Sequence, residues 1–476
     1  MKLAVIGAAG VRTPLLARGL AEAAATLPLN EIGLYDPDAE RLALITRVVR
    51  AMAAERGLAA RLTAAPRPEA AMDGASYIIT SIRAGGIAAR AQDERIALEH
   101  GLVGQETVGA GGCACALRNL RAMLGYGRLA LQRAPAATLI NFTNPVGIVS
   151  QAMLQLGVRI LGVCDTPLET FEQIAHALGR DPFSLWFDYL GLNHLGWIRA
   201  VRAGGPEGAD LLPELLADPE RLRRCYRHGL FPPEFLQRLG VLPTEYLYFY
   251  YFPEQARRNT QESRTSRGAA IEVLNRELFA QLADTPERQL ITVYEDYLRR
   301  RNASYFSIEA TGGKRREDDR PLYSQFAGYE RIAVLLLTAL ASEEAKMVPL
   351  TVRNDAGGAI ALSDLAPADA VELPCQVSRR GVQPAQPGAA PDAVRALLLQ
   401  VKRYERLVAE AALTGRRELA LEALELNPLV GPAAAAPVLS AYEAAFGAAL
   451  GLAPKDGPSA GPAASGGSSA AMTSVK

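Results

Sequence analysis

The chain has little cysteine, few histidines and no excess of charge. Five cysteines, Cys113, Cys115, Cys164, Cys225 and Cys375, occur among 476 residues. Their odd number and irregular spacing exclude a disulfide framework and point to a reducing compartment. The 51 basic residues are matched by 51 acidic ones, which removes any global field able to recruit nucleic acid or an anionic membrane. No run of 18 or more apolar residues is uninterrupted, so no membrane span is expected. The apolar start "MKLAVIGAAG" is broken by glycines and by Arg12 and Arg18, with no clear cleavage site behind it, and does not read as a signal peptide. A cytoplasmic protein is the expectation.

What is present is apolar mass in a repeating pattern. Hydrophobic residues make up 49% of the chain, and the length exceeds what one ordinary core holds, so two units are expected. "KLAVIG" reads as a short buried strand ended by glycine. The helix after it is expected to take Thr13 as N-cap and Pro14 as first residue. "EIGLYDPDAERL", "ASYIITSI", "ATLINFTNPVGIVSQAML" and "RILGVCDTPLETFEQIAHAL" repeat the strand-turn-helix theme. This is the signature of an α/β fold with a doubly wound parallel sheet, whose ligands bind at the carboxyl ends of the strands. From about residue 185 the pattern changes. "FDYLGLNHLGWIRAVR" reads as a strand hairpin, residues 210–310 as mostly helical, 345–376 as strands and 391–451 as long helices. The expected division is 1–185 as a nucleotide-binding unit and 186–453 as an α+β unit for substrate, metal and oligomerisation. The Gly/Ala/Ser/Pro-rich end, 454–476, lacks apolar periodicity and is expected to be disordered.

Several stretches carry candidate chemistry. In "VIGAAG", Gly7 and Gly10 form G-x-x-G ahead of a helix, a partial dinucleotide turn. Glycines admit a pyrophosphate to the backbone, and the helix N-terminus offers N–H donors. Asp36 ends the second strand, where a carboxylate accepts from a ribose diol and repels a 2′-phosphate, favouring NAD over NADP. An ordinary βα turn with a capping aspartate is the competing reading. Cys164 in "GVCDTP" and His194 in "GLNHLGW" allow two readings, core residues or ligands of one divalent ion with open positions. Their neighbours Asp165 and Asn193 read equally well as a helix cap and a turn residue. Arg83, Arg90 and Arg95 stand among glycines, either as a solvated helix face or as a fork for phosphate or hydroxyls. "PTEYLYFYYF" holds Tyr246, Tyr248, Tyr250 and Tyr251, packing residues or, for one phenol, a base.

The ordered set "IRAGG…R…DE", "GQETVGAGG", "NFTNPVGI", "GVCDTP", "GLNHLGW" and "PTEYLYFYYF" resembles glycoside hydrolase family 4, the NAD- and metal-dependent 6-phospho-glycosidases. The resemblance runs from "VIGAAGVRTPLL" to "ELALEALELNPLVG". It implies a Rossmann-like doubly wound parallel sheet followed by a mixed α+β domain of the lactate/malate dehydrogenase type. It implies NAD at Gly7, Gly10, Asp36 and Arg83, and Mn²⁺ or another divalent metal on Cys164 and His194. Tyr246 matches the family's base, and Asp165 the acid of some members. Arg90, Asn144 and Arg267 match substrate contacts. The implied reaction is a redox-assisted elimination. NAD⁺ removes hydride from sugar C3, the ketone acidifies C2–H, the base takes that proton, and the C1–O bond breaks. Water then adds and the hydride returns, an exception to the two-carboxylate rule for glycosidases. An aspartate after the cysteine suggests an α-cleaving member, whereas "PTEYLYFYYF" and "GLNHLGW" look closer to the 6-phospho-β-glucosidase branch. A phosphorylated glycoside or disaccharide substrate and a homodimer or homotetramer are the implied partners. Cys113 and Cys115 replace bulkier residues and are expected to be structural. A plain 2-hydroxy-acid dehydrogenase is the alternative from another class, and it would need a catalytic histidine with a carboxylate partner.

Overall fold

The computed structural model describes residues 1–303, 305–311 and 328–453; the expected disordered end, 454–476, lies outside them. Its strands are β1 (Lys2–Ile6), β2 (Glu31–Tyr35), β3 (Arg61–Ala64), β4 (Tyr77–Thr80), β5 (Thr138–Asn141), β6 (Ile160–Gly162), β7 (Leu185–Leu192), β8 (Leu195–Ala203), β9 (Leu242–Pro243), β10 (Lys346–Arg353), β11 (Ala370–Ser378) and β12 (Gly381–Pro384). All twelve join one sheet in the order β3-β2-β1-β4-β5-β6-β10-β11-β7-β8-β9, with β12 on β11. The first six are parallel. From β10 onward every pairing is antiparallel. Strands from both sides of residue 185 therefore share the sheet.

The sequence pattern explains this arrangement. Parallel strands are covered on both faces, so they read as unbroken apolar runs. Leu3, Ala4, Val5 and Ile6 are all buried, but they divide between two clusters. Leu3 and Val5 join the large core, while Ala4 and Ile6 join a smaller one with Ala71, Met72, Ile78 and Ala130. The hairpin of β7 and β8 turns through Asn193 and His194, and His194 adopts φ 63°. Long helices at 392–414, 417–426 and 432–446 follow, as expected. The run Pro432–Leu450 has the length and apolarity of a span, at mean hydropathy 1.3, yet it buries Ala435, Val438, Leu439 and Tyr442 against the core.

One local expectation is corrected. The first helix spans Thr13–Glu22 with Arg12 at the cap position and no side-chain cap. The amide of Thr13 donates to Gly10 O at 3.0 Å, which draws Thr13 into the first turn and leaves its hydroxyl out of capping.

The sheet fixes where ligands can sit. Strand order reverses between β1 and β4, and a crevice opens there at the carboxyl ends. Gly7 follows β1, Asp36 follows β2, Arg83 comes after β4, Asn144 after β5 and Cys164 after β6. His194 turns between β7 and β8, and Tyr246 follows β9. The antiparallel continuation thus brings two more strand ends to the same edge.

Candidate active site

One cleft of about 950 Å³ receives all of these strand ends. Gly7, Gly10, Asp36, Arg83, Arg90, Asn144, Cys164, Asp165, His194, Tyr246 and Arg267 all line it. Arg95 is absent from the lining: it is exposed and pairs with Glu99 one helical turn on, the solvated-face reading.

At one end the backbone dominates. Gly7 has φ +89°, and a Cβ there would meet Ser81 O at 2.3 Å. Glycine is required both for the left-handed conformation and for the close approach of the two loops. The Asp36 carboxylate accepts from the amides of Ala9 (3.1 Å) and Asp38 (3.0 Å). Burial raises its pKa, and those amides pull the other way. A glycine turn, a helix start and a strand-end carboxylate fit a dinucleotide. Arg83 lines the cleft but pairs with Glu106.

At the other end side chains dominate. The imidazole of His194 lies flat on the Tyr246 ring, centroids 3.7 Å apart and planes 5° from parallel. Burial lowers the His194 pKa to about 3, so the ring is neutral, the form that binds a metal. Burial, Glu372 and Asp165 raise the Cys164 pKa well above its ordinary value. The thiol therefore keeps its proton until a cation replaces it. Among the described residues no group of three or more His, Cys, Asp or Glu is placed to hold a metal. A thiol and a neutral imidazole on one cleft fit an ion that keeps most of its coordination open. Asn144 Oδ1 is buried with no hydrogen-bond partner among the described residues, which suits a ligand hydroxyl.

The cations of the cleft fall into two kinds. Arg90 is balanced: Nε meets Glu94 at 2.8 Å and Nη1 meets Glu106 at 2.6 Å. Burial opposes its charge, but Glu106 and Glu94 outweigh that and raise its pKa. Despite its own burial, Glu106 is held below the usual carboxylate range by Arg83 and Arg90. Arg267 and Arg301 differ. Burial lowers the pKa of Arg267, and Arg90 lowers it further. Burial likewise lowers Arg301, to about 10, with Arg12, Arg267 and Arg90 acting in the same sense. Both guanidiniums line the cleft beside Arg90, where a planar cation is suited to meeting an anionic oxygen.

Asp165 does not cap its helix with its side chain. Its Oδ2 and Arg12 Nη1 converge beside Gly328, where a Cβ would lie 3.1 Å and 3.0 Å from them. Burial opposes the Arg12 charge, yet Asp165, Glu330 and Glu169 together raise its pKa. Glu106, Asn119, Arg12 and Arg301 line the cleft without having been singled out from the sequence. Glu106 stood in the quoted "GQETVGAGG" without a role, and Arg301 lay in a polar helix-end run. Cys113 and Cys115 are buried thiols, each with a pKa pushed up to about 12 by burial, as fits a packing role. Tyr248 and Tyr251 pack among Phe231, Phe235 and Phe252, and Tyr251 Oη accepts from Trp197 Nε1 at 3.0 Å.

Comparison with known proteins agrees with this geometry. The family model described as Family 4 glycosyl hydrolase matches residues 2–180, and that of the Family 4 glycosyl hydrolase C-terminal domain matches 189–430. The probable 6-phospho-beta-glucosidase of Bacillus subtilis (strain 168) is 29% identical over 438 residues, covering 90% of this chain and 92% of that protein. The 6-phospho-beta-glucosidase of Escherichia coli (strain K12) is 30% identical over 443 residues, covering 90% and 91%. The 6-phospho-alpha-glucosidase of Leptotrichia buccalis is 26% identical over 450 residues, covering 91% and 94%. Among solved structures, the 6-phospho-beta glucosidase of Thermotoga maritima with NAD and glucose-6-phosphate superposes at TM-score 0.78 and 26% identity, covering 95% of this chain and 100% of that one. A form of the same enzyme that also holds manganese gives TM-score 0.77 at 25% identity, with the same coverage. Malate dehydrogenase of Plasmodium falciparum, at TM-score 0.50 and 11% identity over 87% of this chain and 99% of that one, shares the fold alone.

Proposed function

The chain belongs to family 4 of the glycosyl hydrolases, and on that premise we propose that it hydrolyses 6-phospho-β-glucosides with NAD and a divalent metal such as Mn²⁺. The observation that carries this reading is the junction, in one cleft, of Cys164, His194 and Tyr246 with the buried guanidiniums of Arg267 and Arg301. A neutral substrate has no use for those charges, whereas a 6-phosphate does.

Gly7, Gly10 and Asp36 would hold the dinucleotide, and Cys164 and His194 the metal, with the sugar between them. Bound NAD would supply a reversible hydride acceptor, and the ion a Lewis acid for sugar oxygens. The chain's own work is to bind, orient and move protons. Asn144 Oδ1 accepts from a sugar hydroxyl. Arg267 and Arg301 grip the phosphate, and Arg90 contacts substrate while already balanced by Glu94 and Glu106. Tyr246 Oη takes the C2 proton. Burial, Glu106 and Cys164 raise its pKa and Arg90 lowers it, so the phenol acts as a base only once further positive charge enters the cleft.

The β preference is supported by 29% and 30% identity to two β-enzymes, against 26% to three α-enzymes and 27% to a third β-enzyme. The second reading, a 6-phospho-α-glucosidase, is favoured by the aspartate itself at position 165. A panel of 4-nitrophenyl α- and β-glycosides, with and without 6-phosphate, assayed with NAD⁺ and Mn²⁺, decides. Turnover confined to phosphorylated β-glucosides is expected, and turnover of α-anomers overturns the β assignment. A cytoplasmic homodimer or homotetramer belongs to the same reading, and light scattering on the purified protein tests the subunit count.

A further inference from the structure

Behind His194 lies a short chain of buried polar groups. Gln105, Thr107 and His194 are 5%, 6% and 6% exposed. Gln105 Oε1 accepts from the backbone amides of Thr107 at 2.5 Å and Val108 at 3.1 Å. Two N–H donors fix which end of the side-chain amide faces them, because its NH₂ group cannot accept. The Thr107 hydroxyl also meets that oxygen, at 2.9 Å. Facing an acceptor, the hydroxyl must donate, and this uses its single proton. Its other contact, with His194 Nδ1 at 3.1 Å, can then run only from ring N–H to hydroxyl oxygen.

The segment is held there by close packing. A Cβ on Gly111 would meet Gln105 O at 2.2 Å, and one on Gly112 would meet Thr107 C at 2.6 Å. The glycines of "GQETVGAGG" thus let the turn press onto the helix that follows it, Gly109–Arg133. Glu106, between the two relay residues, faces the opposite way, to Arg83 and Arg90.

We infer that Gln105 and Thr107 are positioning residues that hold His194 as the Nδ1–H tautomer, so that Nε2 carries the lone pair offered to a divalent metal. A metal-bound imidazole whose second nitrogen donates to a fixed acceptor is held in orientation and made a better ligand. The inference rests on the metal reading of Cys164 and His194 given above, and the test separates the two.

The tautomer is read from long-range ¹H–¹⁵N spectra of the metal-free, full-length protein labelled at its four histidines, with His194→Gln assigning the signal. A protonated Nδ1 and an unprotonated Nε2 on His194 are expected; the reverse pattern overturns the inference. Mn²⁺ binding is then titrated by the EPR signal of the free ion. Thr107→Val is expected to weaken binding about 10–100-fold, the usual loss when the group that orients a metal-bound imidazole is removed, and to mix the tautomers, while Thr107→Ser restores both. Unchanged Mn²⁺ affinity in a folded Thr107→Val protein overturns it, as does a Ser variant that behaves like Val. If the wild-type protein binds no Mn²⁺ through Cys164 and His194, the metal reading of the site falls, and the ring spectrum still decides the tautomer.

Discussion

The two ends of the cleft are built by different means. Around Gly7 and Asp36 the structure works with backbone: a positive φ, a Cβ-free approach to Ser81, and a carboxylate tied to two amides. Around Cys164, His194 and Tyr246 it works with side chains whose ionisation burial has displaced, supported by residues from distant parts of the chain. A site made of backbone tolerates chemical change and not steric change. A site made of displaced side chains behaves the other way round. Substitutions at the two ends therefore test the contrast directly.

The largest effect is expected at the side-chain end. Cys164→Ser keeps the volume and removes the thiolate. Losing Lewis-acid assistance worth several kcal/mol, at tenfold per ~1.4 kcal/mol, lowers kcat/KM by about 10³-fold while the melting temperature stays near that of the wild type. Wild-type turnover of the variant in the presence of a chelator would remove the metal from this end. Next comes Arg301→Gln. A charge-assisted hydrogen bond is worth about 1.5–3 kcal/mol, so phosphorylated substrates lose about 10–100-fold and unphosphorylated ones little. Equal loss on both substrate types would mean that Arg301 does not meet the phosphate.

The backbone end answers to shape. Gly7→Ala places a Cβ 2.3 Å from Ser81 O in a left-handed conformation, costing about 1–3 kcal/mol. Thermal unfolding reads the cost, and NAD titration is expected to show a weaker complex. An unchanged melting temperature would mean that the two loops separate freely.

The same contrast explains what could be read before the fold was known. The glycine turn, the strand-end Asp36 and the alternation of strands and helices are local, and local patterns are what a sequence displays. Cys164 and His194 became a pair only through the ordered set of motifs, since they come from different strand ends. Arg301 carries no local mark of its role: it is one of several arginines at a helix end, and only the packing beside Arg12 and Arg267 distinguishes it. Thr107 was hidden differently. Its partner is 87 residues away, and a threonine beside a glutamate reads as an ordinary loop. The Thr13 expectation failed for a backbone reason, because the turn from Gly10 admits that residue one position earlier than a cap would.

A smaller effect separates the two metal-ligand candidates by pH. The His194 pKa is lowered to about 3, so its protonation does not compete with an ion between pH 5 and 8. The Cys164 thiol lies well above its ordinary value and must give up its proton on binding. Apparent Mn²⁺ affinity should thus rise with pH, approaching tenfold per unit, with about one proton released per ion. Calorimetry in buffers of different ionisation enthalpy counts that proton. A flat profile would mean that the thiol is not a ligand, and the side-chain end would lose its most displaced group.

The smallest effect marks the limit of the contrast. Arg95 shares a helix with Arg90 and stands among the same glycine-flanked motifs, yet it faces solvent and pairs with Glu99 at i,i+4. Such an exposed pair contributes about 0.3–0.5 kcal/mol. Arg95→Ala is accordingly expected to change kcat/KM less than about twofold and the melting temperature by about a degree. Arg90→Ala, on the same helix, leaves Glu94 and Glu106 buried without their shared cation, and breaking a buried pair of this kind costs about 3–5 kcal/mol. Two arginines five residues apart should therefore differ in folding stability before any substrate is added, and paired denaturation curves measure that difference. Similar curves for both variants would place Arg90, too, on the solvated face, and the balanced cation of the cleft would have to be sought elsewhere.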